Sequence, residues 1–113
     1  MPYLQVRTSG ELTREKTDRL HTVFAEMMAE VLGAKNVMME FTGGHRFYYA
    51  GQYPEGTAVE VHVMERFTAE QYSELIRRSI QLAGEEFSQP AEQIVVNVMA
   101  LPTWGANGKA LHI

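Results

Sequence analysis

Val59-Glu60-Val61-His62-Val63-Met64-Glu65, followed at once by Arg66-Phe67-Thr68-Ala69-Glu70-Gln71, decides the fold of this chain. Val59, Val61 and Val63 alternate with Glu60 and His62, the period of a strand with one face turned inward. Thr68 then stands where a helix wants its N-cap, and Gln71 completes a capping box. Beyond it Tyr72, Leu75, Ile76, Ser79, Ile80 and Ala83 recur at three- and four-residue steps, one stripe of an amphipathic helix. Ser88-Gln89-Pro90 ends that helix by about Phe87, in the manner of turn residues and proline. The apolar run Ile94-Val95-Val96-Asn97-Val98-Met99-Ala100-Leu101 follows as a strand, stopped by Pro102.

The same order stands upstream. Tyr3-Leu4-Gln5-Val6-Arg7-Thr8 alternates apolar and polar, and Ser9-Gly10-Glu11 breaks the run. From about Thr13 to Leu32, the residues Leu20, Val23, Phe24, Met27, Met28, Val31 and Leu32 form a helical stripe. Gly33 sits where helices place a C-terminal glycine, and Val37 to Thr42 reads as a second strand. Val6 to Thr13 and Val61 to Thr68 match at an offset of about 55 residues, so the chain is a β-α-β unit duplicated once, not a solenoid array. The pseudo-repeats run over about residues 2–42 and 57–101 of a single domain, 1–113. Right-handed crossovers place both helices on one face of a four-stranded mixed sheet, an α+β (two-layer α/β) architecture.

Two segments lie outside the repeats. His45 to Tyr53, rich in aromatics, reads as a short edge strand or flap closed by Pro54-Glu55-Gly56. The tail Thr103 to Leu111 holds the only Trp and a hairpin-type Asn107-Gly108 turn. Energetics add an expectation about assembly. The Ile94–Leu101 strand is apolar on both faces, as covered parallel strands are. Two helices cover only one face, and the other would expose an apolar patch of several hundred Å², more than soluble monomers tolerate. At about 25 cal/mol per Å² such a patch favours self-association through that face.

Composition narrows the function classes. The chain has 113 residues, 45% hydrophobic and 21% charged, with a net charge of −4. That balance fits one globular domain and argues against nucleic acid or an anionic membrane as partner. Without cysteine there is no disulfide framework and no thiolate nucleophile or ligand. Glu11, Arg14, Glu15 and Lys16 precede any long apolar run, so no leader and no membrane span are expected, and a cytoplasmic location is the default. The four His are scattered without ligand spacing, so no metal is implied.

The chemistry centres on Met1-Pro2. Methionine aminopeptidases generally remove an initiator Met before a small residue such as Pro, and removal here leaves a secondary amine at the mouth of a strand. N-terminal amines titrate at about 7.7–8.0 in reference peptides, and burial lowers that value. Such an amine is suited to act as a general base near neutral pH. The plain alternative is an ordinary Met-Pro start with no role.

The duplicated β-α-β, Pro2 after Met1 and a sheet in need of partners together resemble the tautomerase superfamily, which includes macrophage migration inhibitory factor, 5-carboxymethyl-2-hydroxymuconate isomerase and 4-oxalocrotonate tautomerase. Val59-Glu60-Val61 with Glu65-Arg66, and Asn107-Gly108 in the tail, are similar to a bacterial branch of it. The resemblance implies a cofactor-independent tautomerase or isomerase and a homotrimer. Its substrate would be a small keto/enol carboxylic acid, with Pro2 moving a proton α to the carbonyl. It also implies substrate-binding residues. Arg66, ending the third strand, is the leading carboxylate or enolate partner, because a planar guanidinium matches a carboxylate through two parallel bonds. Its alternative is a surface ion pair with Glu65 or Glu70. Lys35 lies near the family's pocket Lys, or is a solvated loop residue. Arg46 and Tyr48, in the flap, either wall a pocket on a neighbouring chain or pack as an ordinary edge strand. Asn97 resembles a pocket Asn, although the family's Tyr two residues earlier is Val95 here; alternatively it is a satisfied polar residue at a strand end. Met64 is placed to offer a backbone N–H, and Trp104 to line the site or anchor the tail. Arg7 and His62 read as structural or interface groups. Two rivals remain on the same fold: a non-catalytic trimeric binding or signalling protein, and dehalogenase or hydratase chemistry.

Overall fold

The computed structural model describes residues 1–52 and 55–112. In chain order these form β1 (Tyr3–Thr8), α1 (Arg14–Leu32), β2 (Met38–Thr42), β3 (Thr57–Met64), α2 (Ala69–Phe87), a 3-10 turn (Ala91–Gln93), β4 (Ile94–Leu101), β5 (Thr103–Ala106) and β6 (Lys109–His112). The main sheet has the order β2-β1-β3-β4. β1 pairs with β2, and β3 with β4, in parallel, while β1 and β3 run antiparallel. Each parallel pair closes one β-α-β unit, and the two units join back to back through β1 and β3.

Local chemistry sets the helix ends. Thr13 accepts the Lys16 N–H at 3.1 Å, and Thr68 with Gln71 makes the full capping box. Gly33 adopts φ 68° and turns its N–H onto the Ala29 carbonyl, the left-handed ending that glycine favours. Both helices cover the same face of the sheet. Leu4 and Val6 of β1 and Val59, Val61 and Val63 of β3 are fully buried against Leu20, Phe24, Met27 and Met28 of α1 and Leu75 and Ala83 of α2. Ile76 and Ile80, on the expected inner stripe of α2, are only half-buried.

The uncovered face differs from the sequence expectation. It is polar across its middle, because the strand register lines Glu40, Gln5, Glu60 and Asn97 up as one row crossing all four strands. Gln5 donates to Glu40, Arg7 donates to Gln5 at 2.8 Å and reaches Glu60 at 3.5 Å, and His62 stands 3.6 Å from Glu60. Burial and the bonded Glu40 carboxylate raise the Tyr3 phenol above its ordinary value, and its ring meets His62 edge-on. Arg7 and His62 thus belong to a network on this face. Exposed apolar side chains are confined to the flanks, with Val95 and Leu101 on β4 and Met38 on β2. β4 thus exposes Val95 and Leu101 as its sequence suggests, but alternation in β1 to β3 sets polar residues beside them in place of apolar ones.

The flap forms no strand among the described residues. Tyr49 and Gln52 exchange two backbone bonds around Ala50 and Gly51, both at positive φ, in one tight turn. Tyr53 and Pro54, part of the expected flap and its closing turn, lie outside the described residues. The tail does form a hairpin, β5 with β6, turning on Asn107 and Gly108 at φ 54° and 72°. Two successive positive φ values are what an Asn-Gly hairpin turn supplies.

Candidate active site

Topology brings four segments to one end of the sheet. β1 begins there. α1 runs back and ends there, so the loop 33–37 leading to β2 lies beside Pro2. β3 and β4 both run toward the same end, which adds the corner 65–67 and the start of the tail. Pro2 is held at the strand mouth, its carbonyl accepting the Met38 N–H at 2.9 Å. These segments enclose a cavity of about 670 Å³.

Five of the eight residues singled out from sequence line this cavity: Pro2, Lys35, Met64, Arg66 and Trp104. Arg66 is carried on a tight backbone turn, its N–H on the Met64 carbonyl at 2.8 Å, while Glu65 N–H extends the ladder to Leu101 at 2.9 Å. Its guanidinium carbon stands 5.9 Å from the Phe67 ring centroid. Among the described residues neither Arg66 nor Lys35 forms an ion pair, so the expected alternative of an Arg66 pair with Glu65 or Glu70 is not seen. No Asp or Glu is among the described residues lining the cavity. Two cations in a concave wall without carboxylates create a positive field suited to a small anion.

The other three residues lie elsewhere. Asn97 is exposed on the uncovered sheet face beside Glu60. Arg46 lines a smaller cavity of about 350 Å³ with His45 and Phe47, at the end of the sheet where β1 stops. Tyr48 is 63% exposed just before the Tyr49–Gln52 turn. Sequence reasoning missed Phe67, Asn36 and Asn107, all of which line the Pro2 cavity. Phe67 had a usable signal, because it falls between Arg66 and the Thr68 cap in the same corner. Asn107 had none of that kind: only the folding-back of the tail hairpin brings it near Pro2. Among the described residues no three His, Cys, Asp or Glu gather where they would hold a metal ion, and no helix is long and apolar enough to cross a membrane.

The sequence matches no protein-family model and no curated protein. The backbone does have solved counterparts. The crystal structure of Leishmania major MIF2 superposes with a TM-score of 0.88 at 24% identity, over 98% of this chain and 97% of that one. The chain carries the tautomerase-superfamily fold. A native fused 4-OT matches with a TM-score of 0.84 at 16% identity, over 95% of this chain and 94% of the other. A protein inactivated by 2-oxo-3-pentynoate matches with a TM-score of 0.80 at 23% identity, over 94% and 92%. At these identities the likeness concerns the fold, and it agrees with the architecture read from the duplicated strand, cap and helix.

Proposed function

We propose that this chain, once Met1 is removed, is a cofactor-independent tautomerase or isomerase acting on a small keto/enol carboxylic acid. The observation that supports this most is the placement of Pro2 in one cavity with Lys35 and Arg66, with no carboxylate among the described lining residues. The free imino nitrogen of Pro2 takes a proton from the carbon α to the carbonyl and returns it to carbon or oxygen of the resulting enolate. Arg66 binds the substrate carboxylate through two N–H groups, and Lys35 faces the charge that develops on the enolate oxygen. Phe67 and Trp104 wall the cavity with apolar surface, which strengthens these interactions by limiting water. Met1 lines the same cavity, so its retention both occupies the site and leaves Pro2 an amide without basicity.

A homotrimer in the cytoplasm completes the reading. In such an assembly Asn97, Arg46 and Tyr48, remote from the cavity of their own chain, are available to the cavity of a neighbour. The experiment uses full-length protein whose mass shows Met1 removed. Pro2→Ala is expected to lower phenylpyruvate enol–keto turnover by at least about 100-fold, the usual worth of a positioned base. Incubation with 2-oxo-3-pentynoate is expected to add one reagent mass at Pro2 and abolish turnover. Unchanged turnover in Pro2→Ala sinks the catalytic mechanism. A mature chain that keeps Met1 turns the same cavity into a carboxylate-binding site on a non-catalytic assembly.

A further inference from the structure

An exposed arginine with no carboxylate partner samples many rotamers, and a clamp for a planar anion needs one. At Arg66 the restraint comes from the corner that joins β3 to α2. Its guanidinium carbon lies 5.9 Å from the Phe67 ring centroid, within reach of a cation–π contact. Phe67 is itself fixed: its backbone N–H donates to the Tyr72 hydroxyl at 3.2 Å, and the two rings meet edge to face at 6.3 Å and 82°. Tyr72 sits in the first turn of α2, its N–H on the Thr68 carbonyl at 3.1 Å. The capping-box Gln71 also donates to the Val31 carbonyl at 3.1 Å, tying this corner to the end of α1, from which the Lys35 loop departs. Tyr72 does not line the cavity, whereas Phe67 does.

We infer that Tyr72, acting through Phe67, positions the Arg66 guanidinium toward the cavity and so sets the affinity of the site for carboxylates. This rests on the proposed role of Arg66 as carboxylate partner. Tyr72 is a positioning residue: it holds a backbone N–H and a ring, and the ring holds the cation.

The test is run on the full-length mature protein with benzoate as an anionic probe and benzamide as its neutral counterpart, binding being read by NMR titration. Phe67→Leu removes the ring face and is expected to weaken benzoate about threefold to fivefold more than benzamide, the scale of an exposed cation–π contact, any lost wall contact being common to both probes. Tyr72→Phe keeps the ring but loses the oxygen that accepts the Phe67 N–H, and a loss of about twofold is expected, again for benzoate alone. Phe67→Tyr preserves the ring face and should retain wild-type affinity, which keeps the inference testable if Phe67→Leu folds poorly. In an Arg66→Ala background neither change should weaken benzoate more than benzamide. With phenylpyruvate the same variants should raise KM by the same factors, with Tyr72→Phe leaving kcat in place. Equal weakening of benzoate and benzamide, a benzoate-specific loss that persists in the Arg66→Ala background, or wild-type binding with no preference for benzoate would each overturn the inference. Absence of turnover in wild type, with the benzoate pattern intact, would overturn the proposed catalysis and leave this positioning role standing.

Discussion

At one end of the sheet the start of β1 meets the loop after α1 and the corner after β3. At the other, the start of β3 meets the loop after α2 and the corner after β1, so the two ends are counterparts under the duplication. Their contents differ. Where Pro2 stands at the first end, Thr57 stands at the second, fully buried and bonded to Thr8 at 3.0 Å and to Gln89 at 2.7 Å. The Gly56 carbonyl there accepts the Ser9 N–H at 3.0 Å, the Thr8 hydroxyl at 3.2 Å and the Gln89 amide at 3.4 Å. Side chains of Thr8, Thr57 and Gln89 therefore fill the space that at the Pro2 end remains a cavity. Charge divides the same way. Of two smaller cavities at this end, one of about 280 Å³ beside Gln89 is lined by Glu11, Glu55 and Glu86 with Lys16, and one of about 350 Å³ by Arg46 with Glu55. Both carry carboxylates, whereas the Pro2 cavity has Lys35 and Arg66 with none among the described residues. One topology thus produces an anion-seeking hollow and an acidic, internally satisfied plug, and the side chains in the loops decide which.

The largest effect that would break this comparison belongs to Arg66. Arg66→Ala is expected to lower kcat/KM for a 2-oxo acid by about 10–100-fold, mainly through KM, the scale of a lost charged hydrogen bond of about 1.5–3 kcal/mol. The change should leave thermal stability nearly untouched, because Arg66 is exposed and without an ion pair among the described residues. A fall in melting temperature matching the loss of turnover would show that the cation supports the fold, and the two ends would then differ less than their contents suggest.

Next comes the plug. Gln89→Ala leaves the buried Thr57 hydroxyl without its Gln89 acceptor and removes the amide that donates to the Gly56 carbonyl. A loss of about 1–3 kcal/mol is expected, the usual penalty for an unsatisfied buried polar group, with turnover per folded molecule unchanged. Denaturant unfolding measures the first and steady-state kinetics the second. A Gln89 variant of wild-type stability would mean that water replaces the amide at no cost, and the contrast between hollow and plug would lose its energetic basis.

The elements were legible because their signals are local. Valine at alternate positions gives β3, Thr68 with Gln71 gives the start of α2, and Gly33 gives the end of α1, each within a few residues of chain. What was not legible depends on register and on return paths. The uncovered face was misjudged because β4 was read alone, whereas Glu40, Gln5, Glu60 and Asn97 become one polar row only when four strands are set side by side. Pro2, Lys35 and Arg66 were named one by one from chemistry and resemblance, and the parallel and antiparallel pairings bring them together. The place of Asn107 in the Pro2 cavity and the Thr8–Thr57–Gln89 plug were invisible, since the plug's residues, bonded across as many as 49 positions, meet only after folding.

The smallest expected effect sharpens the comparison through pH. Glu86, at the plug end, receives the Arg19 guanidinium on both carboxylate oxygens at 2.9 and 3.0 Å, and Lys16 at 3.1 Å. Its carboxyl is held below the ordinary range, first by the Arg19 hydrogen bond and then by Lys16, against an opposing push from burial. A carboxylate whose folded pKa is depressed stabilises the fold above its unfolded value, about 4.3, and that contribution disappears as pH falls through the lower folded value. Wild type should therefore lose stability on acidification in this window, and Glu86→Gln should lose less over the same window while starting lower at neutral pH. Because the Arg19 side chain is 64% exposed, added salt should shrink the difference between the two proteins. Arg66→Ala serves as the control at the other end: its cation has no carboxylate partner among the described residues, so its acid unfolding curve should run parallel to wild type. If Glu86→Gln keeps the whole acid sensitivity, the responsible carboxylate lies elsewhere, first of all Glu74, which its Arg77 hydrogen bond also holds below the ordinary range, and the plug end contributes no pH dependence of its own.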